Sequence, residues 1–129
     1  MATVILALMI APVLYIIYGV VLRFFPPKNI NDFIGFRTKH SKKTPHHWAY
    51  AQKIAGCYLV ILGVILSLLS SIYLIYLYHT NFESWYFIVP VILIQLLSLV
   101  GIIVFVEYKL KGFKPPSIRD QINESDIIE

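Results

Sequence analysis

The sequence is poor in cysteine, poor in acids, and free of charge over long stretches. Cys57 is the only cysteine, so no intrachain disulfide exists, and a thiol inside an apolar run is expected to pack as a small hydrophobic group. Residues 4–22, 54–78 and 85–106 contain no Asp, Glu, Lys or Arg. An ion or proton relay needs ionisable groups at membrane depth, and these runs offer none. No Ser/His/Asp arrangement and no phosphate-cradling glycine loop can be assembled either, so the chain is not expected to be an enzyme. His40, His46 and His47 suggest a metal, but adjacent histidines on a helix point about 100° apart and no nearby cysteine or carboxylate completes a ligand set. No metal, cofactor or nucleic-acid partner is expected.

What remains is hydrophobic. The composition is 58% apolar with a mean hydropathy of +0.73, and such a chain in water would expose large apolar patches. Each of the three runs matches the roughly 20 residues that a helix needs to cross a bilayer. The expected fold is all-α, an integral membrane protein with three transmembrane helices. Its domain covers residues 1–110, followed by a flexible tail over 111–129 that contains Asp120, Glu124, Asp126 and Glu129. The first run lacks a preceding basic residue and a small-x-small cleavage site, so it is expected to be a retained span rather than a signal peptide.

The basic residues set the expected orientation. Arg23, Lys28, Arg37, Lys39, Lys42, Lys43 and Lys53 lie between the first two runs against Asp32 alone, and Lys109, Lys111, Lys114 and Arg119 follow the third. The turn at 79–84 has no Lys or Arg. Because basic residues resist translocation, the N-terminus is placed outside, with the loop and the C-terminus in the cytoplasm.

Local signals mark the element ends. Pro12 and Pro90 each remove a backbone donor and are expected to bend their helices. Phe25 precedes Pro26, which closes the first helix. Thr44-Pro45 starts a new one, with Thr as the cap and Pro at the first helical position. A helix from 45 to 78 is about 51 Å long at 1.5 Å per residue, longer than the bilayer core. Its opening turns therefore either stand beyond the hydrocarbon or form a short interfacial segment that changes direction at Gly56. Trp48, Ala51, Gln52 and Ala55 share one face of it. Ser84 is the expected cap of the third helix, and Trp85, Tyr86, Tyr76 and Tyr78 are expected interface anchors. Gln95, Ser67, Ser70, Ser71 and Ser98 are the polar residues within the spans, and helix packing is their expected role.

The segment from Asn31 to Thr38, Asn-Asp-Phe-Ile-Gly-Phe-Arg-Thr, is followed by Ser41, by Trp48 ten residues on and by Gly56 eight further. A glycine there permits a positive φ or a close backbone approach, and Arg supplies a planar donor fork. This stretch resembles the signature of the SdpI family of small bacterial membrane proteins, in which Asn-x-x-Ile-Gly-x-Arg-Thr precedes a Trp and then a Gly at those spacings. The resemblance implies Asn31, Gly35, Arg37, Thr38, Trp48 and Gly56 as the binding or structural motif. It implies a membrane immunity protein against a membrane-active antimicrobial peptide or bacteriocin-like toxin; the best-known member also sequesters a transcriptional repressor at the membrane. Under that reading Asn31 and Arg37 tie the loop to helix ends, and Trp48 sets depth at the interface. The partners would be membrane lipids and a peptide toxin, and three helices that bury little surface leave room for a homo-oligomer. The alternative is a structural or regulatory subunit of a transporter or sensor complex, with the basic loop as its docking surface.

Overall fold

The computed structural model describes residues 2–80, 86 and 88–117. Three helices make up the described fold: α1 (Ala2–Phe24), α2 (Pro45–Thr80) and α3 (Ile88–Gly112). All three are long and apolar enough to cross a membrane, and among the described residues there is no strand. Helix α1 stops where the sequence requires: Phe25 N–H donates the last helical bond to the Val21 carbonyl (2.8 Å), and Pro26 cannot continue it. Helix α2 runs unbroken through Gly56, about 54 Å for 36 residues, so its first turns are continuous with the rest of the helix and no separate segment changes direction at Gly56. Helix α3 continues past Val106 to Gly112 and takes Glu107 with it. Pro90 stands in the first turn of α3, where its missing N–H breaks no bond; among the described residues, only Pro12 interrupts a helix. The expected cap at Ser84, the anchor at Trp85 and the tail beyond Ser117 lie outside the described residues.

Helices α1 and α2 are antiparallel and meet backbone to backbone. A Cβ on Gly56 would come within 2.7 Å of the Arg23 nitrogen and 2.8 Å of the Gly19 carbonyl oxygen, and one on Gly63 within 2.9 Å of the Pro12 carbonyl oxygen. Lipid tails are as apolar as leucine, so helices in a bilayer gain little from hiding apolar surface, and small residues that allow close approach take over. Helix α3 is held more sparsely, burying Gln95, Val106 and Leu110. The core therefore sits toward the loop end, where Leu22, Phe36, Ala51, Ala55, Val106 and Leu110 pack together. The large apolar side chains left exposed on all three helices face outward, as a lipid-embedded bundle requires.

A buried polar cluster joins the helices at depth. Pro12 has no N–H to offer the carbonyl of Leu8, one turn before it, and the Gln95 side-chain amide donates there instead (3.0 Å). The same amide donates to the Ser70 hydroxyl (3.1 Å), and the Tyr15 hydroxyl donates to the Gln95 carbonyl (2.7 Å). Thus a residue of α3 repairs the break that proline makes in α1. Gln95→Leu is expected to destabilise the protein by about 1–3 kcal/mol, because a buried carbonyl loses its partner. In a Pro12→Ala background the restored amide serves Leu8, and the cost of Gln95→Leu should shrink. Denaturation in detergent of the four members of this double-mutant cycle measures the difference.

Candidate functional site

Residues 25 to 44 return the chain from α1 to α2, and short-range bonds give this loop its shape. Asn31 Oδ1 accepts from the backbone N–H of Phe33 (3.0 Å) and of Ile34 (2.8 Å), and its Nδ2 donates to the Asn29 carbonyl. This side-chain turn directs Phe33 and Ile34 outward, 88% and 57% exposed. Arg37 Nη1 donates to the Asp32 carbonyl. Lys42 pairs with the Asp32 carboxylate and, through that hydrogen bond, holds it below the usual carboxylate range. Asn31 and Arg37 thus brace the loop internally; neither reaches a helix end, contrary to the expectation, because both find acceptors or donors within five residues. Thr38 and Ser41 exchange side-chain and backbone bonds, Ser41 Oγ accepting from Thr38 N–H (2.8 Å) and donating to its carbonyl (2.9 Å).

The loop is fastened to the bundle by other residues. Gln52, fully buried on α2, accepts from Phe36 N–H (2.6 Å) and donates to Phe36 C=O (3.0 Å). One side-chain amide thereby satisfies both backbone groups of Phe36, as a neighbouring strand would. Gly35 makes this possible. Its φ is +110°, which favours glycine, and a Cβ there would lie 2.8 Å from Gln52 Oε1 and 3.0 Å from Pro27 Cγ. One turn earlier Trp48 is buried and donates its indole N–H to the Pro27 carbonyl (2.7 Å). Trp48 is therefore a latch inside the protein and not a depth marker in the interface, because its N–H has a fixed partner across the loop.

The start of α2 matches its signal. Thr44 Oγ1 accepts from His47 N–H (3.2 Å) and lies within hydrogen-bond distance of His47 Nδ1 (2.8 Å), so the hydroxyl caps the helix and also engages the ring. His47 and Tyr50 carry the contact to the end of α3, where Tyr50 stacks on Phe113 at 4.1 Å and His47 meets it edge-on at 5.1 Å.

Sequence reasoning missed two of these contacts. Gln52 was legible as part of the buried face but not as the partner of Phe36. Glu107, at the far end of α3, accepts from His40 Nδ1, with the Thr38 side chain beside the same carboxyl. That pair ties the loop to α3 across 67 residues of sequence, which no local spacing signals. Among the described residues, no three His, Cys, Asp or Glu side chains converge as metal ligands do.

Beneath the loop lies a pocket of about 250 Å³, roofed by residues 35–38 and walled by Tyr18 of α1, Leu59 of α2 and Leu99 and Ile103 of α3. Gly35, Arg37 and Thr38 border it, Trp48 and Asn31 hold its roof in shape, and Gly56 brings α1 against α2 below.

The chain matches the SdpI/YfhL protein family over residues 28–106, from the loop to the last membrane turns of α3. It belongs to that family. It is similar to the uncharacterized protein YfhL of Bacillus subtilis (strain 168), with 32% identity over 54 residues, 42% of this chain and 49% of that protein. The chain thus spans about half the length of the curated relative it matches. No solved structure matches it. The matched SdpI/YfhL region contains all six motif residues, and the structure gives each a place in or under the latched loop.

Proposed function

We propose that this SdpI/YfhL protein is a bacterial membrane immunity or resistance protein of the SdpI type, protecting its cell against a membrane-active peptide. The observation that carries the reading is the family's motif region built as a braced loop over an open apolar pocket. Asn31, Gly35 and Thr38 shape that loop, Trp48 latches it, and Arg37 stands exposed on its rim. A peptide that disrupts membranes is itself amphipathic or hydrophobic, and it would meet this rim at the bilayer surface. The protein would bind it there or alter its access to a target. In this scheme the N-terminus lies outside and the loop and C-terminus face the cytoplasm, following the basic residues. The chemistry is binding, without catalysis.

The experiment is survival of a sensitive bacterial strain challenged with membrane-active peptides, with and without the protein. Protection by the native chain is expected, and its loss is expected in Arg37→Ala and Trp48→Ala matched for membrane level. Absence of protection across a broad peptide panel, with normal insertion and stable co-purification with a larger complex, would favour a structural or regulatory subunit instead.

A further inference from the structure

The geometry points to the pocket beneath the loop as a site for one anionic phospholipid, its acyl chain seated against Tyr18, Leu59, Leu99 and Ile103 and its phosphate held by Arg37. Three independent features converge on it. The pocket wall is apolar and contributed by all three membrane helices, while its roof, residues 35–38, includes the polar side chains of Arg37 and Thr38, so it spans the boundary that a phospholipid spans. Arg37 is exposed on that roof and, among the described residues, directs a single guanidinium N–H to a protein acceptor, leaving the remaining donors of its fork for a phosphate oxygen pair. Finally, Phe33 and Ile34 project outward from the same loop, where apolar side chains beside basic ones embed in the headgroup layer.

Charge favours an anionic headgroup over a zwitterionic one. Lys28, Arg37, Lys39, Lys42 and Lys43 lie on the loop. Among the described residues, the acids facing it are Asp32 and Glu107, and each is already engaged, by Lys42 and by His40. Inside the pocket, as distinct from the loop rim where a peptide would dock, a phospholipid is favoured over a peptide because none of the lining residues offers a buried polar side chain to fix a peptide backbone. This site does not depend on the immunity reading: lipid retention is read on the purified protein and protection on living cells.

The full-length protein, purified in detergent and stripped of lipid, would be mixed with phosphatidylglycerol or with diacylglycerol of identical acyl chains, which lacks the phosphate, and examined by native mass spectrometry. One phosphatidylglycerol should be retained per chain, with a preference of about tenfold, the scale of one charge-assisted hydrogen bond. Arg37→Gln should abolish the preference, Lys39→Gln should leave it, and Ile103→Trp should reduce retention of both lipids by filling the pocket. Circular dichroism identifies misfolded variants, and Leu99→Phe replaces Ile103→Trp if the latter does not fold. Equal retention of the two lipids, an unchanged preference in Arg37→Gln, or an equal loss in Lys39→Gln would overturn the site in favour of diffuse loop charge. Displacement of the phospholipid by an equimolar amphipathic peptide would reassign the pocket to a peptide and overturn it as well.

Discussion

Gly56→Leu is expected to prevent the protein from accumulating as a folded bundle in the membrane. The obstacle to any side chain at position 56 is backbone, the Arg23 nitrogen at 2.7 Å and the Gly19 carbonyl oxygen at 2.8 Å, and backbone cannot rotate aside as a flexible side chain can. Even Gly56→Ala forces α1 and α2 apart, at a cost of about 1–3 kcal/mol by the usual scale of overpacking. The loop joins these two helices, so their separation also pulls Pro27 from Trp48. Gly101→Ala is the internal control. Nothing lies within 4 Å of a Cβ there, and alanine is favoured over glycine in a helix by about 1 kcal/mol, so that variant should be neutral or slightly stabilised. Membrane level and denaturation midpoint in detergent, measured for all three, check the ranking. Tolerance of Gly56→Leu would mean that the close approach of α1 and α2 is not what holds the bundle together.

Gln52→Leu is the second large effect. Leucine matches much of the glutamine volume but leaves the buried N–H and C=O of Phe36 without partners, and each such group costs about 1–3 kcal/mol. The expected result is a loop released from α2 with the helices still in place. Limited proteolysis should then cut between Pro26 and Thr44 in the variant and not in the native protein, while helix content stays unchanged. Gln52→Glu keeps the acceptor for Phe36 N–H but loses the donor to Phe36 C=O, and should fall between the two. A Gln52→Leu protein with native protease resistance would show that Trp48 and the His40–Glu107 pair suffice to hold the loop. Because Gly35 approaches Gln52 so closely, the same release is the physical consequence of any side chain at position 35.

Much of this architecture was readable in the sequence for simple reasons. A charge-free run of about 20 apolar residues has few options other than a membrane helix, and Pro26 and Thr44-Pro45 end and start helices by local sterics and capping. The face shared by Trp48, Ala51, Gln52 and Ala55 followed from helical periodicity, and all four are buried. The motif residues were recognisable as a set, but their roles depended on partners distant in sequence. Arg37 and Asn31 bonded to their own loop, with Arg37 still exposed, and Trp48 turned into the protein.

The sequence by itself determined the three helices, their ends at the loop and the family, because hydropathy, capping and motif spacing are local properties. Only the tertiary structure decided that Gln95 repairs the gap left by Pro12, that Gln52 pairs with Phe36, and that Glu107 meets His40. Those contacts join different elements, and a buried polar group takes whichever partner the packing of the helices places within reach.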